Sequence, residues 1–200
     1  MTKVKFCGLR RPADIEYANE LKPDYIGFVF AKKSRRYVTP ETAKELKTML
    51  LPKIKACGVF VNEDIDEVLR LLDESIIDIA QLHGSEDEAY IKELKSRTKA
   101  PVIRAFKIGS TEDVQAAQES LADMVLLDSG EGSGQTFNWK LIGNGISRPY
   151  FLAGGLTSEN AAFAIAALNP YALDVSSGIE TDGFKDKSKM EKFLRAVRSV

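Results

Sequence analysis

Short, β-rich apolar runs recur at steady intervals along this 200-residue chain, and that recurrence constrains its fold more than any other feature. The runs fall at residues 4–7, 25–30, 55–61, 78–82, 102–106, 124–128, 150–153 and 172–175. Most are continuous rather than alternating in polarity, the pattern of parallel strands covered on both faces. Helical patterns fill the gaps. Ile65, Val68, Leu69 and Leu72 fall at i, i+3, i+4 and i+7, as do Ala161, Ala164, Ile165 and Leu168, and Met190, Phe193, Leu194 and Val197. Each set lays one apolar stripe on a helix. Thr39 before Pro40 reads as an N-cap followed by a first-turn proline, and Ser85-Glu86-Asp87-Glu88 reads as a capping box.

Strand then helix, eight times over, uses the whole chain at about 25 residues per unit, enough for one βα module each. The sixth helix is expected to be very short, around residues 139–142, and the loop at 31–38 to be long. No Pro/Ser-rich linker interrupts the series, so residues 1–200 are expected to form a single domain. The arrangement predicts a single (β/α)8 TIM barrel with eight parallel strands. The main rival is a doubly wound sheet, which would place a glycine-rich phosphate loop after the first strand. That turn reads Cys7-Gly8-Leu9-Arg10-Arg11-Pro12, with one glycine. The glycine-rich turns follow the sixth, seventh and eighth runs instead. A barrel commonly holds phosphate on its last two loops, so their position favours the barrel.

Composition removes several classes of function. The chain is 44% apolar and 28% charged, the balance of a globular protein with a sizeable core. Lys plus Arg is 28 and Asp plus Glu is 29, a net charge of −1, so no electrostatic footprint points to nucleic acid or an anionic membrane. The longest apolar runs, such as 25–31, fall far short of the ~20 residues a membrane span needs. The first residues lack the apolar stretch of a signal peptide. Two cysteines, Cys7 and Cys57, build no disulfide framework, and a reducing cytoplasm is the expected setting. Monomer and homodimer are both open.

In a barrel, the carboxyl ends of the strands face the active site. That rule selects Cys7, the 31–37 loop, Gln81, His83, Asp128, Gly154, Gly155 and residues 174–178. Ala153-Gly154-Gly155-Leu156-Thr157 opens a helix after the seventh run, and Val175-Ser176-Ser177-Gly178-Ile179 follows the eighth. Glycine lets backbone N–H groups approach an anion, and a helix start adds a favourable dipole. One such turn reads as an ordinary tight turn, whereas two on adjacent strands favour a phosphate site.

Cys57 lies inside a strand and reads as a small buried residue, the usual fate of an isolated cysteine. Cys7 stands at a strand exit, where a thiol could be a nucleophile or general base. Either role needs the thiolate, so a pKa below the free ~8.5 is expected to help. Asp128 ends four apolar residues and reads as a turn or cap residue, or as an acid whose surroundings keep it protonated. In Lys32-Lys33-Ser34-Arg35-Arg36-Tyr37 the cations form a solvated loop or a fork for a carboxylate. His83, the sole histidine, reads as a structural residue donating to a neighbouring loop or, with Gln81, as a substrate contact. Asp174 could hold a substrate hydroxyl or fix the last loop. No cluster has metal-ligand spacing.

Taken together these residues resemble the phosphoribosylanthranilate isomerase family. The matching segments are Lys5-Phe6-Cys7-Gly8, Gly27-Phe28-Val29-Phe30, Ser34-Arg35-Arg36-Tyr37-Val38, Gly58-Val59-Phe60-Val61-Asn62 and Gln81-Leu82-His83-Gly84. They continue with Leu126-Leu127-Asp128-Ser129, Gly132-Ser133-Gly134, Phe137, Trp139, Ala153-Gly154-Gly155-Leu156 and Asp174-Val175-Ser176-Ser177-Gly178-Ile179-Glu180. The resemblance implies a cofactor-free Amadori rearrangement of a small phosphosugar–anthranilate substrate in tryptophan biosynthesis. It further implies Cys7 as general base, Asp128 as general acid, Arg36 on the anthranilate carboxylate, and Gly154, Gly155, Ser177 and Gly178 on the phosphate. Glu131, Asn138 and Phe6 depart from the usual pattern, and Glu131 bears on the loop after the sixth run.

Three other readings compete. A phosphosugar barrel isomerase of histidine biosynthesis, or one of dual specificity, would share the phosphate grip but usually uses two aspartates. A phosphate-binding protein without activity would have no need of Cys7 opposite Asp128. A structural disulfide between Cys7 and Cys57 would leave no free thiol.

Overall fold

The computed structural model describes residues 1–128, 141–143 and 145–200. The segments Gly132-Ser133-Gly134, Phe137, Trp139, Glu131 and Asn138 lie outside the described residues, as do the first two residues of the short sixth helix expected at 139–142.

Eight parallel strands close into a barrel in the order of the sequence. They are β1 (Lys3–Cys7), β2 (Tyr25–Val29), β3 (Lys55–Phe60), β4 (Ile79–Leu82), β5 (Val102–Lys107), β6 (Met124–Asp128), β7 (Tyr150–Leu152) and β8 (Ala172–Val175). Each lies within one residue of the bounds expected from the sequence. Helices α1 (Pro12–Leu21), α2 (Pro40–Met49), α3 (Ile65–Asp73), α4 (Glu88–Arg97) and α5 (Thr111–Glu119) follow β1 to β5, and α6 (Ala161–Leu168) and α7 (Lys187–Arg198) follow β7 and β8.

The starts of the helices show which sequence signals carried weight. Thr39 caps α2 as expected, its side chain accepting from Thr42 N–H. The capping box expected at Ser85 is not the start of α4. Asp87 caps that helix by accepting from Tyr90 N–H at 2.8 Å. Glu86 has turned inward instead. Its carboxylate accepts from the N–H groups of Asn62 (2.7 Å) and Gly84 (2.9 Å) and from Arg104 Nη1 (3.1 Å). A buried carboxylate with three donors outweighs a surface cap. A second departure follows β7: the Gly154-Gly155 turn does not open a helix directly, because α6 begins only at Ala161.

Two cores result. The larger lies between sheet and helices, built from residues such as Phe6, Phe28, Phe60, Leu71, Leu127 and Phe193. The smaller fills the barrel itself, with Tyr25, Cys57, Ile79, Ile103, Leu126, Phe151 and Ala172. Alternation along each strand assigns these faces. The register then places Cys7, Gly27, Cys57 and Ile79 in one row across β1 to β4. Gly27 is what lets Cys7 fit, since a Cβ there would lie 2.7 Å from the Cys7 sulfur.

After β8 the chain makes a turn of 3-10 helix (Ser177–Ile179) and a small hairpin, β9 (Glu180–Thr181) with β10 (Phe184–Lys185). Asp182 and Gly183 form its tip, both with positive φ, as a tight hairpin requires.

Candidate active site

A cavity of about 300 Å³ opens at the carboxyl ends of the strands. Among the residues singled out from the sequence, Cys7, Arg36, Gln81, His83, Asp128, Gly154, Gly155, Asp174 and Ser177 line it. Gly178 is not among the lining residues. What requires glycine there is packing, because a Cβ would stand 2.0 Å from the Leu156 carbonyl oxygen.

Asp128 ends β6, and its Oδ2 lies 3.2 Å from Nε2 of the His83 ring. The expectation that His83 is a structural residue donating to a nearby loop is corrected. At the exit of β4 its ring turns into the mouth, between Asp128 and Gln81, with Gln81 Nε2 3.1 Å from His83 Nδ1. Gln81 Oε1 accepts from Lys5 Nζ at 2.7 Å, and Lys5 pairs with Asp174 Oδ2 at 2.8 Å. Lys5 is fully buried. Burial alone would pull its ammonium down, but Asp174, together with Cys7 and Cys57, raises it above the ordinary lysine value. The other oxygen, Asp174 Oδ1, is the one buried side-chain polar atom without a hydrogen-bond partner among the described residues.

Cys7 faces this network from β1, and both cysteines are free thiols. The Ser176 hydroxyl donates to the Cys7 carbonyl at 3.0 Å and anchors the strand exit. The thiol does not have the depressed pKa that would favour a thiolate. Burial pushes it above its ordinary value; Lys5 and Lys185 pull it down without cancelling that effect, and Asp174 adds to it. Cys57, fully buried below, is pushed up to about 12, again chiefly by burial.

The basic loop after β2 contributes less charge than its composition suggested. Lys32, Lys33 and Arg35 are exposed, and Arg36 is the cation of that run that lines the cavity. Its guanidinium is held by Glu180, Nε to Oε1 at 2.7 Å and Nη2 to Oε2 at 2.9 Å. Arg35 also reaches Glu180 at 3.0 Å, and buried Lys185 donates to it at 2.7 Å. Burial would raise the Glu180 carboxyl, but Arg36 and Lys185 outweigh it and hold it below the ordinary carboxylate range. Glu180 and Lys185 both come from the β9–β10 hairpin, which the strand-counting argument overlooked. The dipeptide Asp182-Gly183 was the available signal.

At the opposite rim, Gly154 and Gly155 adopt φ of +89° and +62°. Such values favour glycine, and without side chains the backbone of this turn can be approached closely by a ligand. Asn160 pins this turn, donating to the Gly155 carbonyl and accepting from Thr157 N–H, each at 2.9 Å.

The family model described as N-(5′-phosphoribosyl)anthranilate (PRA) isomerase matches residues 4–196. An N-(5′-phosphoribosyl)anthranilate isomerase of Thermoanaerobacter sp. (strain X514) is 45% identical over 206 residues, covering all of both chains. Among solved structures, the phosphoribosyl anthranilate isomerase of Thermotoga maritima superimposes with a TM-score of 0.89 at 33% identity, covering 100% of each chain. A phosphoribosyl anthranilate isomerase in complex with reduced 1-(o-carboxyphenylamino)-1-deoxyribulose 5-phosphate gives 0.87 at 33% identity and the same coverage. With fold, strand-end residues and whole-length similarity in agreement, this chain belongs to the phosphoribosylanthranilate isomerase family.

Proposed function

We propose that the cavity converts N-(5-phospho-β-D-ribosyl)anthranilate into 1-(2-carboxyphenylamino)-1-deoxy-D-ribulose 5-phosphate, the Amadori rearrangement of tryptophan biosynthesis, without a cofactor. The observation that carries the reading is a thiol and a carboxyl on β1 and β6, lining one cavity between an arginine and a pair of glycine turns.

Each group has a distinct task. Asp128 protonates the furanose ring oxygen, and the ring opens to a protonated Schiff base. Cys7, as thiolate, takes the C2′ proton, and the electron pair left behind forms an enolamine. Protonation at C1′, with loss of the C2′ hydroxyl proton, then gives the ketone. Burial opposes the thiolate in the resting site, while Lys5, Lys185 and the cationic Schiff base favour it. Arg36, clamped along one edge by Glu180, offers its remaining N–H groups to the anthranilate carboxylate. Gly154, Gly155 and Ser177 hold the phosphate, and anchoring both ends of the substrate brings acid and base to adjacent atoms. Asp174 Oδ1 accepts a sugar hydroxyl, which relieves a cost of about 1–3 kcal/mol for a buried acceptor left unpaired. A reducing cytoplasm suits an enzyme whose base is a free thiol.

The test is a fluorescence assay following consumption of freshly made phosphoribosylanthranilate by the purified chain. Saturable turnover is expected, and Arg36→Met should lower kcat/KM. Absence of turnover by correctly folded protein, or an unchanged kcat/KM in Arg36→Met, contradicts the corresponding part of the reading.

A further inference from the structure

The chain of contacts from Asp174 to Asp128 has a direction, and the direction follows from what each group can donate. A lysine ammonium has no lone pair, so Lys5 can only donate. The Gln81 atom it meets at 2.7 Å must therefore be the carbonyl oxygen, Oε1. That leaves the Gln81 amide N–H group facing His83 Nδ1 at 3.1 Å, and Nδ1 must accept. A neutral imidazole that accepts at Nδ1 carries its proton on Nε2, and Nε2 lies 3.2 Å from Asp128 Oδ2. The alternative tautomer would set two donors against each other at Gln81. Flipping the amide to relieve that clash would turn its N–H group onto the ammonium.

We infer that Lys5 and Gln81 are positioning residues: they hold His83 as the neutral Nε2–H tautomer, so that His83 donates to one oxygen of Asp128. Lys5 is kept charged and in place by Asp174, its cross-strand partner in the β1–β8 register. The ammonium thus reads across the barrel from β1 to β4 and sets the hydrogen bonding of a carboxyl on β6. The consequence for the acid step rests on the isomerase reading above. With Oδ2 accepting from Nε2–H, His83 fixes the orientation in which the Asp128 carboxyl meets the sugar.

A buried Lys5–Asp174 pair could serve the fold alone. Gln81→Glu separates the two roles, because it leaves that pair intact and changes one atom. A carboxylate accepts where the amide donated, so His83 becomes protonated on Nδ1. His83 is the only histidine, so 15N-histidine labelling reports it as a single ring system. Long-range 1H–15N spectra of the wild-type protein at neutral pH are expected to show the neutral Nε2–H form. Gln81→Glu should show Nδ1 protonated, with kcat reduced on the order of 10²-fold and a smaller change in KM. Lys5→Met, if it folds, should lose the single tautomer; Gln81→Leu gives the same information without leaving Asp174 unpaired. An Nδ1–H or charged His83 in the wild type overturns the inference, as does an unaltered spectrum in Gln81→Glu. A switched spectrum with undiminished kcat removes the positioning role. The spectra need no substrate, so a wild type that shows the Nε2–H form but turns nothing over defeats the isomerase reading and leaves the tautomer assignment standing.

Discussion

The lower and upper halves of the barrel interior are lined by the same eight strands, yet they obey different rules. Below, Tyr25, Ile103, Leu126 and Phe151 fill space, and the Phe151 ring meets Tyr25 edge-on at 5.4 Å and Tyr171 at 5.8 Å. Above, the inward positions are Lys5, Gln81, Asp174, Cys7 and Asp128, and the volume is partly empty. The lower half is held by burial and packing density. The upper half keeps charge out of bulk water by pairing it, through Lys5 with Asp174 and Lys185 with Glu180. Stability and chemistry are thereby separated along the barrel axis, as the fold permits.

The separation can be broken most forcefully from above. Cys7→Ser and Asp128→Asn should each lower kcat by about 10³-fold or more, while a product analogue still binds and the melting temperature changes little. Full turnover in both would remove the two-group mechanism. From below, Phe151→Ala should cost about 3–5 kcal/mol in denaturant unfolding and leave kcat per folded molecule unchanged. A matching loss of kcat would show that the two halves are not independent.

Both halves were legible in the sequence to different degrees. Strands such as Met124–Asp128 were visible because burial on both faces leaves an unbroken apolar run, and the barrel rule then pointed to their last residues. Lys5 escaped notice as a site residue, although a lysine within an apolar strand signals a buried partner. The clamp on Arg36 was harder to see, because Glu180 lies 144 residues away and only the closed barrel brings them together. The raised thiol of Cys7 was not legible either, because its enclosure comes from the closed barrel and not from its neighbours in sequence.

The Glu180 clamp yields a subtler test. Glu180→Gln removes the charge that fixes Arg36 and should raise KM about tenfold with less change in kcat. An unchanged KM would mean that Arg36 needs no clamp. The same variant carries a pH signature. Because the folded state holds the Glu180 carboxyl low, its contribution to stability is present above the ordinary carboxylate pKa and is lost as pH falls through the lowered value. Chemical unfolding at acid pH should show less pH dependence in Glu180→Gln than in the wild type, and equal slopes would count against the ion cluster.

The smallest effect concerns the two cysteines. Burial raises both thiols, so alkylation of the native protein should be slow at neutral pH and quicken for Cys7 as pH rises past ~8.5. Cys57, fully enclosed, should react only on unfolding. Equal labelling of the two in the folded state would refute the contrast between the halves at the row they share.

The central claim is that a sulfur on β1 and a carboxyl on β6 work on neighbouring atoms of one sugar. A crystal structure of this chain with reduced 1-(o-carboxyphenylamino)-1-deoxyribulose 5-phosphate tests it most directly. The account predicts the Cys7 sulfur about 3–3.5 Å from C2′, the Asp128 carboxyl at the oxygen derived from the ring, and Arg36 on the ligand carboxylate. A ligand seated with its C2′ turned away from Cys7, or beyond the reach of Asp128, would contradict it.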